Sequence, residues 1–293
     1  MEIRTVAVIG AGTMGAGIAQ VAAQAGYTTR LVDAQPAALR KGMARIAEFW
    51  DKGIVKGKTT PQQKQEWSSR LTTASDLAHA VADADLVIEA VPESLDLKQR
   101  IFRDLDAKAP PHAILATNTS SLSIAAIASA TKRPDVVVGM HFFNPVPIMQ
   151  LLELVRHERT SAATLDMARA VGAKMGKTTI VAKDRPGFAT SRLGIILGNE
   201  AMRMLEEGVA SAKDIDTAMK LGYGHPMGPL ELSDLVGLDV RLGISEYLKG
   251  TLGPHYDAPA IVRKLVARGE LGKKTGKGLY DWADGTPKER DLR

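Results

Sequence analysis

The strongest constraint on the fold is a glycine-rich turn close to the start of the chain. The segment VAVIGAGTMG, residues 6–15, places Gly10, Gly12 and Gly15 after a short β-branched run and before an apolar, alanine-rich stretch. Strand, turn and helix in this order form the context in which a G-x-G-x-x-G pattern binds a dinucleotide. The first glycine permits the tight turn, the second lets the backbone approach a pyrophosphate, and the third lets the helix pack on the strand.

A second apolar run, residues 27–32, ends at Asp33, which lies 18 residues beyond Gly15. A carboxylate at this place accepts hydrogen bonds from the adenosine ribose and repels a 2′-phosphate, while the helix N-terminus binds the pyrophosphate. The sequence therefore predicts NAD rather than NADP as the cofactor. The predicted contacts in this region are Gly10, Gly12, Thr13, Met14, Gly15 and Asp33.

The order of apolar runs predicts the fold class. Strand-like runs at 5–9, 28–32, 86–90, 114–117 and 136–140 alternate with helical patterns, and they are followed by an apolar run at 149–155 and a short strand at 179–181. This alternation is typical of an α/β, Rossmann-like doubly wound sheet of parallel strands. Residues 35–70 are too long for a simple crossover and predict a helical insertion. From Pro186 the helical period dominates, so residues 1–185 and an all-helical 186–293 are the two predicted domains.

Composition excludes several classes of protein. The 293 residues contain no cysteine, so disulfides, thiolate metal ligands and a cysteine nucleophile are ruled out, and we expect no metal site and a cytoplasmic protein. The net charge of +5 is spread along the chain and only 4% of residues are aromatic, which argues against a nucleic-acid partner. No apolar run reaches membrane-spanning length, so we expect no membrane association.

Two polar residues stand where the pattern calls for burial. His141 follows the run 136–140, and Glu153 lies 12 residues later within the apolar segment LLELV. A bend at Pro145–Pro147 would let the two strands bring the carboxylate onto the imidazole, as a base and the group that orients it. The alternatives are a hydrogen-bonded core histidine and an edge-strand carboxylate. Both residues are expected at the carboxyl edge of the sheet, where doubly wound folds bind ligands. This position favours a functional role for the pair.

At this point the chain resembles the short-chain L-3-hydroxyacyl-CoA dehydrogenases. The resemblance runs in order through nearly the whole chain, and HFFNP with a downstream glutamate is far more specific than the glycine pattern. The segments that carry it are GAGTMG, IEAVPES (88–94), TNTSSLSI (117–124), HFFNP (141–145), PGF (186–188), HPMGPLEL (225–232) and KKTGKGLYDW (273–282).

The resemblance implies roles for individual residues. His141 matches the catalytic histidine, Glu153 its acidic partner, and Ser120 a serine that contacts the 3-oxygen of the substrate and the nicotinamide region. Further cofactor contacts are implied at Ala90, Glu93, Lys98, Asn144 and Lys274. The alternatives are a helix N-cap for Ser120 and solvated surface charges for Lys98 and Lys274. The resemblance also implies an acyl-CoA substrate and a homodimer formed through the C-terminal helices.

One position departs from the family pattern. After the PGF segment, Ser191 occupies the place of an active-site asparagine. A hydroxyl is shorter than a carboxamide and donates one hydrogen bond, so Ser191 is expected to reach the substrate through water or not at all. This departure keeps two alternatives open: a related dehydrogenase of a small hydroxy substrate, of the L-gulonate or carnitine type, and a non-catalytic NAD-binding protein of the crystallin type.

Overall fold

The computed structural model describes residues 2–292. The chain divides into two compact units, the first ending at Arg185 and the second beginning at Pro186. Within residues 2–292, no helix is both long enough and apolar enough to cross a membrane.

The first unit is built on one eight-stranded sheet in the order β3-β2-β1-β4-β5-β6-β7-β8. The first six strands follow the 3-2-1-4-5-6 order of dinucleotide-binding folds, which confirms the predicted fold class. All neighbouring strands are parallel except β6 and β7, which are antiparallel. The strands are β1 (Thr5–Ile9), β2 (Thr28–Val32), β3 (Leu71–Thr73), β4 (Leu86–Glu89), β5 (Ile114–Thr117), β6 (Val137–Phe142), β7 (Leu151–Arg156) and β8 (Thr178–Lys183).

Helices cover the sheet of the first unit. The predicted helical insertion is the pair α2 and α3, and α3 begins with a capping box in which the Thr60 side chain accepts from the Gln63 backbone N–H. The helices are α1 (Thr13–Gln24), α2 (Pro36–Val55), α3 (Pro61–Arg70), α4 (Leu77–Val81), α5 (Leu95–Lys108), α6 (Ile124–Ala128) and α7 (Ala162–Lys174). One turn of 3-10 helix spans Pro134–Val136.

Two details of the sheet differ from the sequence prediction. The strand β3 was not predicted, because three residues carry too short a pattern to be recognised. The strand β6 runs to Phe142 instead of ending at Met140, because its antiparallel partner continues the pairing as far as Phe142 opposite Leu152. His141 therefore lies within a strand and not beyond its end.

The second unit is helical, as predicted, with α8 (Thr190–Glu206), α9 (Ala212–Tyr223), α10 (Pro229–Val236), α11 (Leu238–Leu252) and α12 (Ala260–Ala267). Ser211 caps α9 by accepting the Asp214 backbone N–H. The sequence patterns did not mark α12 as a separate helix. Near the end of the described residues, Asp281 and Lys288 form a backbone pair.

Asp234 organises the end of the second unit. The residue is fully buried, and its carboxylate accepts the backbone N–H groups of Leu279 and Tyr280 at 2.9 Å each and the indole N–H of Trp282 at 2.8 Å. Burial raises the pKa of Asp234, and these three hydrogen bonds oppose that rise. The loop after α12 is therefore fixed to α10 by one acceptor that satisfies three buried donors.

We expect Asp234→Asn to lower the free energy of unfolding by about 2–4 kcal/mol, because an amide NH₂ replaces an acceptor and leaves buried donors unpaired. Chemical denaturation monitored by circular dichroism measures the change. Asp284→Asn, at an exposed carboxylate, is the control and is expected to alter the midpoint little. Equal midpoints for the two variants would contradict the anchoring role of Asp234.

Candidate active site

The glycine turn after β1 has little room for side chains on one side and is open on the other. Gly10 has a φ of +101°, and a Cβ there would lie 2.7 Å from the carbonyl oxygen of Ala90. A Cβ at Gly15 would overlap the carbonyl oxygen of Gly10, so α1 packs directly on the turn. A Cβ at Gly12, by contrast, would meet no atom within 4 Å. The turn thus leaves its backbone accessible at Gly12, where a pyrophosphate approaches in this type of site.

The N-terminus of α1 has the electrostatic properties of an anion site. Gly12 is the N-cap residue and provides no side-chain cap, and the first turn contains no acidic residue. Thr13 is exposed and Met14 is half-buried beside it. The unsatisfied backbone N–H groups and the positive end of the helix dipole favour a bound phosphate. These features fit the pyrophosphate of NAD.

Asp33 connects β2 to the glycine turn. Its Oδ2 accepts the backbone N–H of Ala11 at 2.7 Å, and its Oδ1 accepts that of Gln35 at 2.8 Å. The carboxylate is only half-buried, so it retains lone pairs for further donors. Its position directly after the strand next to β1 fits the ribose contact expected from the sequence.

A fully buried ion pair lies below the loops at the carboxyl ends of β4 and β5. Lys98 on α5 donates from Nζ to both oxygens of Glu89, at 2.7 and 3.0 Å, and neither side chain is exposed. Glu89 also accepts the backbone N–H of Val91 and, at 2.6 Å, the hydroxyl of Thr117. The alternative that Lys98 is a solvated surface charge is therefore wrong. Sequence reasoning missed Glu89, although a glutamate ending a buried apolar strand is the kind of signal that marks such a pair.

Glu93 and Ser120 meet above this ion pair. The Oε1 of Glu93 accepts the backbone N–H of Ser120 at 3.0 Å and the hydroxyl of Thr119 at 2.5 Å. Its Oε2 lies 3.6 Å from the Nζ of Lys98. Ser120 does not cap α6, since Ser123 does so, and the helix-cap alternative is wrong. Two of the predicted cofactor contacts are thus joined by hydrogen bonds between two loops.

His141 and Glu153 face each other across the antiparallel pair β6–β7. They are register partners, and the Nδ1 of His141 lies 3.0 Å from the Oε2 of Glu153. Glu153 is fully buried and His141 is 6% exposed. A carboxylate at Nδ1 fixes the proton on that nitrogen, which leaves Nε2 as the nitrogen that exchanges a proton with a ligand. The spatial pairing expected from the sequence is therefore present.

Two polar side chains hold the end of β6 and the loop that links it to β7. The side-chain oxygen of Asn118 accepts the backbone N–H of Phe142 at 2.9 Å. The Nζ of Lys177 donates to the carbonyl oxygens of Val146, at 2.5 Å, and Met149, at 2.8 Å. Burial lowers the pKa of Lys177. Sequence reasoning identified neither residue, because an asparagine after a strand and a lysine before one carry no distinctive pattern.

Asn144 lies exposed in the same loop, where its peptide bond to Pro145 is cis. Ser191 and Lys274, the remaining predicted site residues, belong to the second unit. Ser191 is half-buried in the first turn of α8, whereas Lys274 is exposed and forms an ion pair with Asp239 at 2.5 Å. The hydrogen bonds from Lys274 and from backbone groups lower the pKa of Asp239 against the opposing effect of burial, which alone would raise it.

The site residues of the first unit share one edge of the sheet. Gly10, Asp33, Ala90 and Ser120 follow the carboxyl ends of β1, β2, β4 and β5, and His141 is the penultimate residue of β6. These strands are parallel, so their carboxyl ends lie together, which is the edge where doubly wound folds bind ligands. No cluster of three His, Asp or Glu side chains that could hold a metal ion occurs within residues 2–292. The groups available for chemistry are an anion site, a hydroxyl and a histidine–carboxylate pair.

Comparison with known proteins agrees with this geometry. Residues 5–185 match the family model described as the 3-hydroxyacyl-CoA dehydrogenase NAD binding domain, and residues 187–282 match the C-terminal domain of the same family. The chain is 45% identical over 287 residues to the probable 3-hydroxybutyryl-CoA dehydrogenase of Bacillus subtilis, with 98% of this chain and 100% of that protein covered.

Two further relatives extend the comparison. The mitochondrial hydroxyacyl-coenzyme A dehydrogenase of Homo sapiens is 43% identical, with 96% of this chain and 91% of that protein covered. A crystal structure of (S)-3-hydroxybutyryl-CoA dehydrogenase from Ralstonia eutropha superposes with a TM-score of 0.91 at 43% identity, covering 96% of this chain and 99% of that one. The chain therefore belongs to the 3-hydroxyacyl-CoA dehydrogenase family of NAD-dependent oxidoreductases, and its first unit is the NAD-binding domain of that family.

Proposed function

We propose that, within this family's reaction class, the protein interconverts a short-chain (S)-3-hydroxyacyl-CoA, such as 3-hydroxybutyryl-CoA, and the corresponding 3-ketoacyl-CoA. The observation that carries the proposal is the 3.0 Å contact between His141 and Glu153 at the edge of the sheet that also holds the glycine turn. The short chain length is supported by the names of relatives at 43–45% identity.

His141 acts as the general base in the oxidation direction. Its Nε2 takes the proton from the 3-hydroxyl group of the substrate while the hydride leaves carbon 3. NAD, when bound, supplies the hydride acceptor. The imidazolium that forms at His141 is stabilised by Glu153, whose buried negative charge lies beside Nδ1. In the reduction direction the same nitrogen returns the proton to the 3-oxygen.

The remaining predicted site residues orient the reactants. Ser120 donates its hydroxyl to the 3-oxygen of the substrate, and its backbone is held in place by Glu93. Lys98 acts on the cofactor region through Glu93, since its own ammonium is buried against Glu89. Asn144 and Lys274 contact NAD, and Ser191 contributes one hydrogen bond in place of the family asparagine.

The proposal predicts fast loss of NADH absorbance with acetoacetyl-CoA and little with free acetoacetate, because binding energy from the CoA moiety supports turnover at the distant carbonyl. Steady-state assays of the two compounds test this. Turnover of L-gulonate or carnitine without turnover of acetoacetyl-CoA would indicate a related dehydrogenase instead. Tight NADH binding without turnover of any of these compounds would favour a non-catalytic binder.

His141→Asn is expected to lower kcat for acetoacetyl-CoA reduction by about 10²- to 10⁴-fold, because the variant loses general acid–base catalysis. The Kd for NADH is expected to stay near the unmodified value, since the glycine turn and Asp33 are untouched. Stopped-flow or steady-state absorbance measures kcat, and fluorescence titration measures NADH binding.

His157→Asn is the matched control for this variant. His157 is also a buried histidine after β7, but its Nε2 contacts the carbonyl oxygen of Pro134. Its replacement removes a structural hydrogen bond and is expected to leave the mechanism intact. A His141 variant with unchanged kcat, or equal losses in both variants, would refute the assignment of the base.

The protein is further proposed to form a homodimer through its C-terminal helices. An apolar patch on α10 and the start of α11 consists of Leu232, Leu235, Val236 and Val240, which are 39–44% exposed. Leu232, Leu235 and Val236 are spaced by three and four residues along one side of α10, and clustered exposed apolar residues of this kind favour association.

Leu235→Glu is expected to convert the dimer to a monomer at micromolar concentration, because it places a charge within a dry interface. Light scattering coupled to size exclusion measures the mass. Val55→Glu, at an equally apolar but 87% exposed position on α2, is the control and should remain dimeric. A monomeric unmodified protein, or a Leu235 variant that stays dimeric, would contradict the interface.

A further inference from the structure

One face of α8 lacks side chains next to a predicted substrate contact. Ser191, Gly194 and Gly198 are spaced by three and four residues, so they lie along one side of the helix. A Cβ at Gly194 would meet no atom within 4 Å. The helix rises about 10 Å between Ser191 and Gly198. The stripe is therefore open at Gly194, one helical turn from Ser191.

The guanidinium of Arg241 lies at the Gly198 end of this stripe. Arg241 reaches from α11, and its Nη2 donates to the carbonyl oxygen of Gly194 at 2.6 Å. A Cβ at Gly198 would overlap the guanidinium, so the absence of a side chain there is what admits the arginine. The residue is 5% exposed. A charged group is thus buried on the glycine stripe of α8.

The charge of Arg241 has no acidic partner. Within residues 2–292 no carboxylate forms an ion pair with it, and its buried Nε has no hydrogen-bond acceptor. Of the other buried cations, Lys98 has Glu89 and Lys177 has two backbone carbonyl acceptors, whereas Arg241 has one. Burial lowers the pKa of Arg241 to about 10, so the group still carries its charge at neutral pH. An unpaired buried cation is costly, which indicates that an anion from outside the chain completes this site.

We propose that Arg241 is a specificity-determining residue that binds the distal carboxylate of a dicarboxylic 3-hydroxyacyl-CoA. The planar guanidinium donates through a fork that matches a carboxylate, and the glycine stripe leaves room for the acyl chain between Ser191 and that fork. The inference rests on the proposed function, because the placement of the substrate beside Ser191 belongs to that proposal. It adds to the proposed short-chain activity a preference for acyl chains that end in a negative charge.

A matched pair of ligands tests the inference directly. Isothermal titration with the unreactive adipyl-CoA and hexanoyl-CoA measures binding, since the two have equal chain length and differ at the distal carboxylate. Steady-state assays with 3-oxoadipyl-CoA and 3-oxohexanoyl-CoA measure turnover. The unmodified protein is expected to prefer the carboxylated member of both pairs by about 10- to 100-fold.

Arg241→Met is expected to abolish this preference in both measurements, whereas Arg241→Lys, which keeps a positive charge, should retain part of it. Arg203→Met is the matched control, because Arg203 is a guanidinium on α8 that already has Glu200 and the Asp257 carbonyl as acceptors. In the Arg203→Met variant, the preference for the carboxylated over the neutral ligand, in affinity and in turnover, is expected to equal that of the unmodified protein.

Several results would overturn the inference. The first is equal affinity of the unmodified protein for adipyl-CoA and hexanoyl-CoA. The second is an Arg241→Met variant whose affinity for the two ligands falls by the same factor. The third is an Arg241→Met variant that dissociates into monomers, which would assign the arginine to a partner chain. Turnover of 3-oxohexanoyl-CoA without preference for the carboxylated ligand refutes this inference and leaves the proposed function intact. A preference in titration without any turnover refutes the proposed function instead.

Discussion

The buried contact between Lys98 and Glu89 is the interaction on which the rest of the site depends. Glu89 ends the central strand β4, and it is bonded at once to α5, to the start of its own loop and to β5 through Thr117. Removing one partner would leave a charge in a fully desolvated place, which costs several kcal/mol. The same lysine lies 3.6 Å from Glu93, and Glu93 holds the backbone of Ser120. A buried ion pair thus positions Ser120, the residue whose hydroxyl we propose as a substrate contact.

Local patterns were sufficient for much of the fold. The glycine turn, the run ending at Asp33 and the helical pair α2–α3 are each encoded within short segments, so their periods and caps could be read directly. The strand β3 and the helix α12 were missed because three residues, or a short helix between loops, provide too few repeats. The end of β6 was placed two residues early because strand length was decided by pairing with β7 and not by the sequence of β6 itself.

Site residues could be predicted from the sequence where a polar residue interrupts an apolar run. They could not be predicted where contacts with distant segments of the chain determine whether a side chain is buried. His141 and Glu153 stood out as polar residues within apolar runs, and their antiparallel register brings them together. Lys98 gave no such signal, because a lysine on an amphipathic helix is ordinarily solvated. Arg241 was missed for the same reason, since its burial requires a glycine at 198 on a different helix. A side chain and the space that admits it are separated by more than 40 residues in this chain.

The antiparallel register of β6 and β7 has a consequence for how this site tolerates change. His141 and Glu153 are paired through a loop of eight residues, 143–150, whose carbonyl groups are held by Lys177 from the start of β8. Because side chains alternate between the faces of a sheet, an insertion or deletion in that loop that shifts the register by one residue would turn Glu153 away from the imidazole and place Leu152 or Leu154 opposite His141. Substitutions in the loop leave the pairing in place. The contact between His141 and Glu153 is therefore specified by the length of a connection as much as by the two residues themselves.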